Sequence, residues 1–231
     1  MQVDLNCDLG EGCAYDADLL PLITSANVSC GWHAGDPATA LATLQGAASH
    51  GVRVGAHPGF ADREHFGRRE LAQSEQQIYR DCVYQIGALV ALARAAGTSV
   101  VYIKPHGALY NLGCRDDAYA RPLIAVAEFF QLPLLGLPGS RLQMLSKGRC
   151  PFVAEGFADR RYRPDGSLMP RDQPEAFVHD VAEAVAQTER LVRKCGIATV
   201  CVHGDNPQAL AFVRSLRQAL LEGGTVLRPF A

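Results

Sequence analysis

The 231-residue sequence lacks an excess of charge of either sign: 22 Lys and Arg stand against 24 Asp and Glu, a formal net charge of −2. That balance argues against a nucleic-acid footprint and against a surface that adheres to membranes. No apolar run is long enough to span a bilayer. The opening stretch, MQVDLNCDLGEG, carries acids where a secretion signal needs a basic and then an apolar region, so the expected compartment is the cytoplasm. The eight cysteines include no C-x-x-C pair. Without a secretion signal they read as reduced thiols, with Cys7, Cys30 and Cys201 inside strand-like runs as small hydrophobes. G-x-G-x-x-G is missing after the first strand, and G-x-x-x-x-G-K-[ST] is missing throughout. The common nucleotide-binding sheets therefore lose ground. Neither a fixed repeat period nor a linker-like composition divides the chain.

What is present is ordinary for a globular protein: 48% hydrophobic and 20% charged residues, enough for one domain over residues 1–231. Short β-like runs cover Val3–Leu9, Ser25–Cys30, Val52–His57, Val100–His106, Leu132–Leu137, Phe152–Phe157 and Ala198–His203. Amphipathic stretches separate them. Asp36-Pro37 reads as an N-cap followed by proline at the first helical position, and Ser74 with Gln77 resembles a capping box. The helix after Ser74 places Ile78, Cys82, Ile86, Leu89, Val90 and Ala93 on one face and stops at Gly97. Another carries Phe177, Val181, Val185, Leu191 and Val192 and ends at Gly196. Asn206 and Pro207 read as the cap of the last helix, whose apolar face holds Leu210, Val213, Leu216 and Leu220. Alternating strands and helices imply an α/β fold with a parallel sheet, open or closed as a barrel.

The strand ends carry the chemistry. Side chains alternate along a strand, so Asp4, Asn6 and Asp8 share one face of the first run, opposite Val3, Leu5 and Cys7. Tyr102, Lys104 and His106 share a face of the fourth, and Cys201, His203 and Asp205 a face of the last. His57, Glu155, Asn27 and Ser29 come from other runs. A lone His or Asp at a strand end is more often a loop anchor or a cap. Six runs that all deliver such groups to their carboxyl ends point instead to a site at a barrel mouth. Two loops add cations, Arg63, Arg68 and Arg69 in one and Arg160, Arg161, Arg163 and Arg171 in the other. They are suited to grip carboxylate or phosphate, or simply to face solvent.

These segments resemble the LamB/YcsF family, the A subunit of the prokaryotic ATP-dependent 5-oxoprolinase. The matching stretches are DLNCDLGE at 4–11, NVSCGWHAGDP at 27–37, GAHPGFAD at 55–62, FGRR at 66–69, IKPHGALYN at 103–111, EGFADRRY at 155–162 and VHGDNP at 202–207. The resemblance implies an irregular, seven-stranded parallel (β/α) barrel like those of glycoside hydrolases and polysaccharide deacetylases. It also implies partner subunits B and C, which with this chain cleave 5-oxoproline to L-glutamate while ATP is hydrolysed to ADP and phosphate. ATP is then a cosubstrate that a partner subunit can hold, with a divalent cation as its companion.

A site for that reaction is expected to use Asp8 or Glu155 as base, with Lys104, His106 and His203 stabilising negative charge. Asn6 and Asn27 would orient the ring, Arg161 would hold the substrate carboxylate, and His57 and Asp205 would complete the binding set. Two other readings stay open. A metal-dependent amidase or deacetylase would draw ligands from Asp8, His33, His57 and His106, and His33 with Asp36 on the loop after the second strand is a compatible but weak pair, although H-x-x-x-H and H-E-x-x-H are both missing. A lactam-binding subunit without chemistry of its own would leave catalysis to its partners.

Overall fold

The computed structural model describes all 231 residues. Eight parallel strands run β1 (Gln2–Leu9), β2 (Ser25–Ser29), β3 (Arg53–His57), β4 (Val100–Ile103), β5 (Leu134–Gly136), β6 (Phe152–Phe157), β7 (Thr199–Val202) and β8 (Val226–Leu227). Each of β1 to β6 pairs with its successor, and β1 pairs with both β2 and β7. The seven-stranded parallel sheet is thereby closed into a barrel, with β8 appended to the start of β1. The helices are α1 (Asp16–Leu19), α2 (Pro37–His50), α3 (Glu75–Ala95), α4 (Gly107–Arg115), α5 (Asp117–Phe130), α6 (Arg141–Ser146), α7 (Val181–Cys195) and α8 (Ala209–Glu222). No helix is long and apolar enough to cross a membrane.

The barrel is irregular where the sequence demands it. β4 and β5 share the single register pair Ile103–Leu134. Between β3 and β4 the register shifts at Val54/Gly55, where the Tyr102 ring occupies the space a side chain at position 55 would need. Tyr102 thus lies inside the barrel, its hydroxyl donating to Asn27 Oδ1 at 2.7 Å.

Strand alternation separates two environments. Val3, Leu5, Cys7 and Leu9 of β1 join the apolar core between sheet and helices. The intervening Asp4, Asn6 and Asp8 are also buried but belong to a polar interior. A Leu or Ile removed wholly from water contributes about 1.5–3 kcal/mol, so the outer apolar layer is what holds the polar ring together.

Ser74 caps α3 by accepting from Gln77 N–H, and Asp36 caps α2 by accepting from Thr39 N–H at 2.7 Å. Three helical expectations need correction. Val90 is 38% exposed and lies off the buried stripe of α3. α7 begins at Val181 with Asp180 as its cap, because Phe177 is extended and bridges Arg160. α8 begins at Ala209, and Asn206 holds the preceding turn by accepting from Gln208 N–H.

Candidate active site

The carboxyl ends of the strands surround a cavity of about 580 Å³, within the usual size for small-molecule sites. Asp8, His57, Lys104, His106 and His203 line its floor, and Arg68, Arg160, Arg163 and Arg171 line its walls. The pieces come from β1, β3 and the segments after β3, β4, β6 and β7, so only barrel closure brings them together.

Lys104 is an almost wholly buried member of that floor. Its ammonium is 2.9 Å from Asp8 Oδ1 and 2.9 Å from Glu155 Oε1, and it also donates toward Asn6 Oδ1 (3.2 Å) and Cys201 Sγ (3.0 Å). Burial by itself would lower the Lys104 pKa, but Asp8, Cys201 and Glu155 push it well above the ordinary lysine value. An unpaired buried ammonium would cost several kcal/mol, and here two carboxylates offset it.

Asp8 is held from several sides. Its Oδ1 accepts from Asn27 Nδ2 (2.8 Å) and Lys104, while Oδ2 faces His57 Nε2 at 3.4 Å and His203 Nε2 at 3.9 Å. Burial would raise its pKa, but His57 and Lys104 outweigh that and hold it well below the carboxylate norm. Asp8 is therefore a fixed anion.

His203 is oriented by a residue the sequence reading missed. Asp159 accepts both the His203 backbone N–H (2.8 Å) and the ring at Nδ1 (2.9 Å). With Nδ1–H committed to a carboxylate, neutral His203 presents its lone pair on Nε2, toward Asp8 and the cavity. Burial works against the Asp159 charge, but His203 more than offsets it and keeps the carboxyl below its usual pKa. Asp159 lies in the segment EGFADRRY, and only its proximity to a strand end could have drawn attention to it.

A second group adjoins the floor. His57 Nδ1 meets the Lys104 carbonyl at 2.7 Å, His106 Nε2 meets the Phe66 carbonyl at 2.8 Å, and His57 Nε2 faces His106 Nδ1 at 2.9 Å. His33 stacks on His106 with ring centroids 3.8 Å apart, and its Nε2 is 3.2 Å from Glu11 Oε1. Burial lowers the pKa of both rings well below the histidine norm, and the neighbouring histidines lower it further. Burial and the Asp8 charge raise the pKa of Glu11. Gly59 and Gly67 make this packing feasible: a Cβ at Gly59 would lie 2.6 Å from His33 Nδ1, and one at Gly67 2.7 Å from His33 Cβ. Glu11, like Asp159, was not singled out by sequence, because an acid in a Gly-rich loop looks like any solvated turn.

Several of the expected site residues have other contacts in the structure. Glu155 is wholly buried against Lys104 and Asn6 and does not line the cavity, a placement that fits a counter-ion to Lys104. Asn6 and Asn27 are likewise wholly buried beneath Asp8, bind each other (2.7 Å) and do not line the cavity, so the structure places them as supports of the floor. Lys104 and His106 already spend their donors on protein acceptors. Arg161 points away and pairs with Glu183 of α7. The neighbouring Arg160 and Arg171 line the cavity instead. Asp205 pairs with Arg68 and lies 3.5 Å from Arg171, so it orients two wall arginines. Asp36 is spent as the α2 cap, and the carboxylate beside the three histidines is Glu11.

The family model for the LamB/YcsF family matches residues 3–231. A lactam utilization protein from Thermus thermophilus is 38% identical over 100% of both chains, with a TM-score of 0.91. A protein named for cellobiose-phosphate cleavage from Enterococcus faecalis is 12% identical, covering 98% of this chain and 96% of its own, with a TM-score of 0.61. A family 4 carbohydrate esterase from Streptomyces lividans is 13% identical, covering 100% and 93%, with a TM-score of 0.56. The last two share the deacetylase-like barrel fold and nothing closer.

Proposed function

Because the chain belongs to the LamB/YcsF family, we propose that it is the lactam-opening A subunit of an ATP-dependent 5-oxoprolinase, working with partner subunits B and C. The observation that carries the reading is one cavity in which a fixed carboxylate, a carboxylate-oriented imidazole and four wall arginines meet: Asp8, His203 on Asp159, and Arg68, Arg160, Arg163 and Arg171. The lactam named in the Thermus relative agrees with it.

A five-membered lactam holds amine and acyl carbon together, so ring closure has a high effective molarity and hydrolysis is reluctant. Transfer of a phosphoryl group from ATP to the lactam oxygen removes that obstacle, and the nucleotide site is assigned to a partner subunit. Arg171 and its neighbours hold the substrate carboxylate and the phosphoryl oxygens. Water, oriented by Asp8, loses a proton to His203 Nε2 as its oxygen bonds to the activated carbon. The C–N bond then breaks, and His203 returns the proton to the leaving nitrogen. The resulting acyl phosphate is hydrolysed to L-glutamate and phosphate. Lys104 acts on Asp8, keeping it ionised and in place.

The test is 5-oxoproline-dependent release of ADP and glutamate by the purified chain, alone and with its B and C partners. Coupled release from the full mixture, abolished by Asp8→Asn, is the expected result. Glutamate from no combination would overturn the assignment, and lactam binding with unimpaired turnover by Asp8→Asn would leave this chain a binding subunit.

A further inference from the structure

We propose that Glu11, His33, His57 and His106 form a binding site for one divalent transition-metal ion of the Zn²⁺ class at the edge of the cavity floor. The four candidate ligand atoms all lie within 4.8 Å of one another.

A carbonyl oxygen only accepts, so His57 Nδ1 must be protonated to meet Lys104 O, and His106 Nε2 must be protonated to meet Phe66 O. In the neutral rings the remaining nitrogens, His57 Nε2 and His106 Nδ1, are both lone pairs. They face each other at 2.9 Å. Two lone pairs at that distance repel unless a cation lies at them, and Glu11 Oε1 adds a carboxyl oxygen 3.5 Å from His106 Nδ1 and 4.0 Å from His57 Nε2, which a bound cation would hold ionised. A cluster that served packing alone would oppose donors to acceptors. With both rings neutral, two lone pairs converge here instead.

The other ring nitrogens support the same reading. An imidazole whose distal N–H is fixed by a backbone carbonyl is the usual outer support of a metal ligand, since it sets the tautomer and aims the lone pair. His57 and His106 both have that support. His33 directs Nε2 to Glu11 Oε1 and leaves its buried Nδ1 without a partner. Three imidazoles and one carboxylate form a donor set for Zn²⁺ or Co²⁺, whereas Mg²⁺ and Ca²⁺ favour oxygen. The site abuts the catalytic floor, because His57 Nε2 is also 3.4 Å from Asp8 Oδ2. The competing account is a single proton shared between His57 and His106, which requires no metal affinity.

The experiment uses the purified full chain, stripped by a chelator that is then removed. Co²⁺ is titrated while its visible ligand-field absorption is followed, with Zn²⁺ as competitor and Mg²⁺ as control. One Co²⁺ per chain, displaced by one Zn²⁺ and unaffected by Mg²⁺, is expected. His33→Ala or His106→Ala should weaken binding at least 100-fold, and Glu11→Gln at least tenfold, while His65→Ala leaves it unchanged. Glu11→Gln preserves shape and reports on the site even if a histidine variant folds poorly. An absent Co²⁺ spectrum, or one that survives Glu11→Gln and both histidine variants undiminished, overturns the proposal. The readout is metal, not glutamate, so it stands or falls separately from the lactam assignment.

Discussion

Lys104 Nζ and Asp8 Oδ1 lie 2.9 Å apart with 2% and 8% of their side chains exposed. The second partner of the ammonium, Glu155, is wholly buried and leaves its Oε2 without a hydrogen-bond partner. The burial of these charges makes the floor both rigid and sensitive.

Lys104→Met is therefore expected to cost about 3–5 kcal/mol, the penalty for stranding buried partners of a removed charge. For a chain of this size that lowers Tm by roughly 6–20 °C. Lys104→Met combined with Glu155→Leu should recover part of the loss. Thermal unfolding of both variants checks this, and a single variant that melts like the parent would contradict it.

For the proposed 5-oxoprolinase activity, Asp159→Asn should reduce kcat by roughly 10²–10⁴-fold, the range for a lost general acid–base, while leaving KM for 5-oxoproline near its parent value. His203→Gln should do the same, and the pair together should be little worse than either alone, because they act as one unit. Steady-state kinetics of the assembled complex decides it. Multiplicative losses would mean that Asp159 and His203 act separately.

Arg171→Ala should raise KM by about 10–100-fold, since the proposed charge-assisted contact to substrate would be lost. Arg161→Ala should leave KM unchanged and cost less than about 1 kcal/mol of stability, because its partner is the half-exposed Glu183. The reverse pattern would restore Arg161 to the binding site.

Asp4, at the amino-terminal side of the interior, accepts from Thr24, Ser25 and Thr199. Burial nevertheless raises its pKa from 3.8 to about 6. Between those values the folded chain binds more protons than the unfolded one, so this residue makes stability fall as pH rises from 3.8 to about 6, then level off. At about 1.36 kcal/mol per unit the total is on the order of 3 kcal/mol. Urea unfolding of the parent and of Asp4→Asn at several pH values should show the parent losing more stability across this window. Parallel curves would place Asp4 near its ordinary titration.

Much of the fold was legible in the sequence. Alternation along the runs correctly put Asp4, Asn6 and Asp8 on one side of β1, and the caps at Asp36 and Ser74 rest on hydrogen bonds between residues three apart in the chain. Phe177 failed as a helical residue because its extended backbone is set by pairing with Arg160, a contact across the chain. β8 went unseen because two residues carry no periodicity, and it exists only through β1.

The site was legible as a set of chemical types but not as roles. Spacing cannot distinguish Arg161 from Arg160: one turns toward α7 and the other toward the cavity. Nor can it show that Glu155 ends beneath Lys104, or that Glu11 rather than Asp36 reaches three histidines. By itself the sequence determined which residues are polar, which strand face each occupies, and that the faces belong to parallel strands. The closure of β1 onto β7 decided which charges are buried together, because Coulomb energy and desolvation depend on distances between segments, and no local pattern encodes those distances.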